Sequence, residues 1–424
     1  MSERKNSEAG PARHSSHAVP VASFRSETRI LLAGAHNRLR SNPPISRSPR
    51  LNGAWEFTTR LMPSDDLATH NSPRTWFLTS ALTPLTIRLI RKLLDHGDNV
   101  VACLPPHELE HEDRNAEFRE LISECKSNRK DREGWLGRIR PIRCDGRIMG
   151  QCSAAIAETK ETFGRIDILL CCTSEAVVGT VEELSTNPGT QNLVRDQFDT
   201  IFFSQVNFIK AALPLLRAQH TGHVMILTSL GGHIGTPGMS MYTAATWALE
   251  GFCDSLAYEI APFNVKVTIV QPHKEIQSLT NKIIFSPQLP YYDSDNNPAP
   301  SVRDMLSNVL NLNPETALEA SEHEIIQRYP KLPASSLDKL VQETVNALTA
   351  IGGNENPPAR HIVGFEGAEA VKEKLKTVTE ELEDFVEASL AVDIFDSELK
   401  AEARQGKARA TEASDSVTAG GSST

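Results

Sequence analysis

A chain of 424 residues is long enough to bury a sizeable core and to form one large domain or two. Its 39% apolar and 23% charged content is ordinary for a globular protein, and the longest apolar stretches, such as 166–172, fall far short of the ~20 residues of a membrane-spanning helix. A net charge of -10 argues against a general nucleic-acid binder. The seven cysteines are scattered and lack CxxC spacing, which fits reduced thiols in a cytoplasmic compartment better than a disulfide framework or a zinc site.

Residues 1–72 show no sustained periodicity and are rich in Ser, Pro, His and Arg, so composition predicts a disordered, solvated tail. Arg25, Arg29, Arg38, Arg40, Arg47 and Arg50 leave a transit peptide as the alternative, and a biological start at Met62 is a third reading. From Thr75 strand and helix signals alternate. A short buried strand at 75–79 precedes a helix over 85–95 that ends at Gly97. The second strand, 99–104, is stopped by Pro105 and Pro106. A charged helix over 108–125 leads to a strand at 139–144, a helix at 153–163 and a strand at 166–170. A long helix at 196–218, a strand at 223–228, a helix at 241–260 and a strand at 265–270 follow. Apolar strands alternating with helices predict an α/β protein, its parallel sheet covered on both faces.

Between 277 and 333 the pattern weakens and Pro, Asn, Asp and Ser accumulate, which predicts a variable insertion. A helix at 335–351 and a short strand at 361–364 complete the order, and an amphipathic helix at 367–390 closes it. Val371, Leu375, Val378, Leu382 and Phe385 make one apolar stripe on that helix, expected to dock onto its own domain. Residues 399–424 are predicted to be a second disordered tail.

Several local segments carry a resemblance beyond periodicity. The strongest, from Gly222 to Tyr242, places Ser229 at a strand end and Tyr242 thirteen residues on; 250–272 and 163–170 are also typical. Together they resemble the classical short-chain dehydrogenase/reductase family, and the tail near 370–396 is similar to its retinol- and hydroxysteroid-dehydrogenase-like members. The resemblance implies a single Rossmann-type doubly wound sheet over 73–398, with 277–333 as a substrate lid. It implies NAD or NADP as cofactor, a hydrophobic small molecule as ligand, and homo- or hetero-oligomers formed through the two long helices.

Position by position, the family's features are incomplete. Its phosphate-binding turn, T-G-x-x-x-G-x-G, falls on Thr79, Ser80, Ala81, Leu82, Thr83, Pro84, Leu85 and Thr86, with all three glycines replaced. Glycine there lets backbone N–H groups approach the pyrophosphate at a helix N-terminus. Leu104, Pro105 and Pro106 stand where an acidic residue or arginine selects the ribose. Asp145 matches the aspartate placed near the adenine, and Pro272 the proline beside the nicotinamide. The N-N-A-G stretch has become Cys171, Cys172, Thr173 and Ser174, where buried thiols read as packing residues.

Of the family's Asn-Ser-Tyr-Lys tetrad, Ser229 and Tyr242 remain, Thr246 replaces the lysine that also holds the nicotinamide ribose, and Ile201 replaces the asparagine. The lysine matters physically. An unperturbed tyrosine has a pKa of about 10, so about one in a thousand is ionised at neutral pH, and a nearby cation is what makes the phenol useful. His273, Lys274 and His233 are the candidate substitutes, each more simply read as a solvated loop residue. The expectation is therefore weak or lost cofactor binding and a binding or regulatory role without standard hydride transfer. The alternative is an active oxidoreductase, or a non-redox catalyst, using Tyr242 and Ser229 on a hydrophobic carbonyl or alcohol.

Overall fold

The computed structural model describes residues 72–127, 132–173, 175–272, 281–292, 325–328 and 334–386. Seven strands form one wholly parallel sheet: β1 (Thr75–Leu78), β2 (Asn99–Leu104), β3 (Ile139–Arg143), β4 (Ile168–Cys171), β6 (Gly222–Leu227), β7 (Val265–Pro272) and β10 (Arg360–Val363). Their spatial order is β10-β7-β6-β4-β1-β2-β3. The order reverses between β1 and β4, and in such a sheet the crevice above that switch point is where ligands bind.

The pleat explains why these strands read as continuous apolar runs. Phe77 packs into one core, while its neighbours Trp76 and Leu78 pack into the core on the opposite face. The first core is covered by α3 (Met149–Phe163), α5 (Ser204–Gln219) and α6 (Ser240–Ile260), through Ile156, Phe208, Ile209, Leu249, Cys253 and Leu256. The second is covered by α1 (Pro84–Asp95), α2 (Glu112–Cys125) and α7 (Ala334–Gly352), through Leu89, Leu93, Phe118, Leu121, Val345 and Leu348. Gly97 turns the chain from α1 into β2 at φ +95°, a conformation that a side chain would strain.

Three features depart from the sequence pattern. The helix expected at 196–218 begins earlier: α4 (Pro188–Phe198) is capped by Asn187 and runs into α5 through a π-helical turn, Asp199–Phe203. Asn187 and Thr190 form a capping box, a local signal that the apolar spacing did not register. The stretch read as irregular contains strands. β8 (Ile283–Phe285) pairs parallel with β5 (Ala176–Val178) and antiparallel with β9 (Ile326–Arg328), making a small second sheet. Finally, the amphipathic helix α8 (Phe365–Asp384) does not bury its stripe on its own domain: Gly367 and Val371 are buried, whereas Leu375, Val378, Leu382 and Phe385 are exposed. Periodicity reveals a stripe but not what covers it. Residues 1–71 and 387–424, with both expected tails, lie outside the described residues.

Candidate functional site

The residues singled out by sequence gather at the carboxyl ends of the parallel strands. Thr79 follows β1, Asp145 follows β3, Cys172 and Thr173 follow β4, Ser229 follows β6, and Pro272 ends β7 as a buried residue opposite Val363. Ser174, His273 and Lys274 lie outside the described residues.

The turn after β1 is bonded to itself. Thr83 is the N-cap of α1: its Oγ1 accepts the Thr86 N–H at 3.1 Å, and its own N–H donates to Thr86 Oγ1 at 3.1 Å. Pro84, at the first helical position, has no N–H to offer. The Thr79 N–H donates to the Leu170 carbonyl and the Ala81 N–H to the Cys103 carbonyl. A helix N-terminus attracts phosphate because its first N–H groups lack partners, and here Thr83 Oγ1 takes up the Thr86 N–H. The Thr79 hydroxyl is committed too: it donates to Gln205 Oε1 at 3.2 Å and accepts from the Cys172 N–H at 2.9 Å and the Thr173 hydroxyl at 3.1 Å.

Charged side chains fill the surrounding crevice. Ser80 Oγ donates to Glu108 Oε2 at 3.2 Å. Burial pushes the Glu108 carboxyl up to about 7, against the opposing pull of Arg114 and of the Ser80 hydroxyl. Burial, with Arg147 nearby, lowers His107 to about 4, so its imidazole is neutral at physiological pH. Lys282, from the segment leading into β8, makes a buried ion pair with Glu175 at 2.8 Å. Asp145 is held in a fork by Arg147, Nε to Oδ1 at 2.9 Å and Nη2 to Oδ2 at 2.7 Å, and this pairing keeps its carboxyl below the usual range. The pocket lined by Thr79, Pro105, His107, Asp145, Arg147 and Thr173 has room for about one water molecule.

Ser229 and Tyr242 are brought together. Tyr242 Oη donates to Ser229 Oγ at 3.1 Å, and Ser229 Oγ also accepts the Gly231 N–H at 3.1 Å. Tyr242 is 1% exposed and packs within the first core. Thr246, in the lysine's position, is buried and donates its hydroxyl to the Tyr242 carbonyl at 2.9 Å, so it is bonded back onto its own helix. Ile201 lies buried in the π-helical turn.

His233 belongs to a neighbouring polar chain. Gln271 Nε2 donates to the Glu250 carboxylate at 2.8 and 3.0 Å, which fixes its amide orientation, so Gln271 Oε1 accepts from His233 Nε2 at 3.2 Å. Thr228 donates to Glu250 at 2.7 Å, and burial raises the Glu250 carboxyl. Gly232 has to be glycine here, because a Cβ would collide with that carboxylate. Cys171 and Cys172 are buried thiols; Cys172 Sγ donates to the Ser80 carbonyl at 3.2 Å, and burial pushes its thiol up to about 11, which leaves it inert.

Sequence reading missed Glu108, Glu175, Lys282 and Gln271. Glu108 sits one helical turn past the prolines, the one local hint available; the others meet partners distant in sequence.

A Rossmann-type sheet with a Ser–Tyr pair at its carboxyl edge defines a nucleotide-fold protein built on the plan of the short-chain dehydrogenases. The model of the short chain dehydrogenase family matches residues 88–277. Similar curated proteins include oxidoreductase BOA17 of Botryotinia fuckeliana, 29% identical over 197 residues, 46% of this chain and 64% of that one. Human retinol dehydrogenase 8 is 31% identical over 33% of this chain and 42% of its own length; human 17-beta-hydroxysteroid dehydrogenase type 1 is 30% identical over 32% and 40%. The chain thus spans about two fifths to two thirds of those relatives. The crystal structure of a short-chain dehydrogenase from Streptomyces avermitilis shares the fold, with a TM-score of 0.56 at 23% identity, covering 77% of this chain and all of that one. Residues 88–277 thus match the short chain dehydrogenase family, and the chain is similar to its retinol- and hydroxysteroid-dehydrogenase members.

Proposed function

We propose that this family member does not carry out standard NAD(P)-dependent hydride transfer and acts as a binding or regulatory protein. The observation that carries the reading is the self-capped turn: the Thr86 N–H, at the third glycine's position, is held by Thr83 Oγ1, the Thr83 N–H is held by Thr86 Oγ1, and Pro84, at the second glycine's position, has no N–H. The crevice supports it electrostatically. Glu108 stands beside Ser80, and a carboxylate there repels a pyrophosphate. The residues present do not fit the dinucleotide. The test is turnover: the purified chain, given retinoid and hydroxysteroid alcohols or ketones, should consume neither the reduced nor the oxidised cofactor. Steady turnover abolished by Tyr242→Phe would overturn the reading.

A second reading rests on the 3.1 Å bond between Tyr242 and Ser229, which keeps a proton donor and acceptor together at the family's spacing. On that reading the protein is an oxidoreductase or non-redox catalyst for a hydrophobic carbonyl or alcohol, and Ser229→Ala and Tyr242→Phe both abolish its activity. The binding role calls for a hydrophobic small molecule as ligand and pairing, with itself or a relative, through α4–α5 and α6. Support for the pairing comes from Phe203, Trp247 and Tyr258, which these helices leave half or more exposed. A cytoplasmic setting is part of this reading, on the support of seven buried cysteines that form no disulfide; among the described residues no helix is long and apolar enough to cross a membrane.

A further inference from the structure

The helix α8 leaves the body of the protein with an apolar stripe that nothing among the described residues covers. Val371 is buried against the domain and anchors the first turns. Beyond it, Leu375 is 55% exposed, Val378 36%, Leu382 64% and Phe385 68%. Single exposed apolar residues are unremarkable, but these four recur at alternating spacings of three and four, which aligns Leu375, Val378 and Leu382 as one seam along the helix, with Phe385 following at its C-cap. Such a seam packs into the matching seam of another helix.

Charge decides which helix fits. The first half of the stripe carries Lys372, Lys374 and Lys376, with Glu373 the one acid among them; the second half carries Glu380, Glu381, Glu383 and Asp384 and no base. Two copies laid side by side in parallel would set lysines on lysines and acids on acids. Laid antiparallel, each lysine-rich half faces the acidic half of the other copy, and the attraction operates twice. The same reversal sets Leu375 of one copy against Phe385 of the other, and Val378 against Leu382, so all four exposed residues find a partner in a single register. An anionic membrane surface is disfavoured by the acids that flank the seam, and a different protein would need to reproduce a pattern that this chain already complements.

We propose that α8 is a self-association surface, through which two copies of this chain pair antiparallel along Leu375, Val378, Leu382 and Phe385. The seam is separate from α4–α5 and α6, so the pairing does not rest on the functional reading above.

The test is the mass of the full-length protein by sedimentation equilibrium, for the wild type and for Leu382→Glu and Leu375→Lys. Both side chains project into solvent, so the variants should keep the wild-type circular dichroism and melting temperature. The expected result is that each variant has half the particle mass of the wild type, whatever association occurs elsewhere in the molecule. Rising salt should weaken the wild-type association, because the attraction between the two charge halves is screened. A wild-type mass that both substitutions leave unchanged overturns the proposal, whether residues 387–424 or another protein then cover the stripe. An association that tightens with salt overturns the antiparallel arrangement.

Discussion

The two halves of the site have lost the family's residues in different ways. In the first half, around β1 to β4, the glycine-replacing residues have been taken into structure, with Thr86 closing a cap with Thr83 and Ser80 meeting Glu108, while the retained Asp145 is locked by Arg147. In the second half the Ser229–Tyr242 geometry persists, while the groups that would activate it are a buried Thr246 and a buried Ile201. A phosphate turn works through unpaired backbone donors, and unpaired donors are costly, so once glycine is lost the chain supplies its own partners. A Ser–Tyr pair satisfies itself, so it can persist as packing without its cation.

That contrast makes the second half the place of largest expected effect. Restoring the family's cation with Thr246→Lys puts an ammonium where the native side chain is buried and bonded to its own helix. A loss of about 3 kcal/mol or more is expected in urea unfolding, and no gain of turnover. A stable, active variant would show that the pocket still awaits its lysine.

In the first half the expected effect depends on pH. Glu108, raised to about 7, keeps its proton in the native state where the unfolded chain has released it, so stability falls as pH climbs from about 4.5 to about 7 and is level above. His107, lowered to about 4, has the opposite sign: the unfolded chain holds the extra proton, so stability rises from about pH 4 to about 6.5. Glu108→Gln should remove the first slope, keep the second, and be more stable than the wild type by about 1–3 kcal/mol at pH 8. Identical urea profiles for the two proteins would mean that Glu108 is not held out of water.

Smaller effects sharpen the comparison. Tyr242→Phe removes one buried hydrogen bond and should cost about 1 kcal/mol in urea unfolding. Thr83→Ala breaks the cap and should cost about 1 kcal/mol as well, without changing affinity for either cofactor; tighter cofactor binding by that variant would show that the cap competes with phosphate rather than replacing it. Asp145→Asn weakens a partly exposed pair and should cost under about 1 kcal/mol by thermal melting.

The sheet and the helices beside it were legible because each strand is an unbroken apolar run and each helix carries its period. The small sheet was not: β8 is three residues long, within a stretch dominated by Pro, Asn and Asp, and only its pairing with β5 identifies it as a strand. In the site, losses could be read residue by residue from the motifs, but what replaced them could not. Lys282 and Glu175 are more than a hundred positions apart, and Gln271 gains its meaning from Glu250 and His233. The Arg147–Asp145 fork spans two residues, so its short spacing is a local signal, although spacing alone does not tell an ion pair from two solvated charges.

The central claim is that the turn after β1 no longer offers its donors to a phosphate. Isothermal titration of the purified chain with NADPH and NADH tests it most directly. No saturable heat up to millimolar cofactor is the result the account predicts, and a micromolar dissociation constant for either cofactor would contradict it.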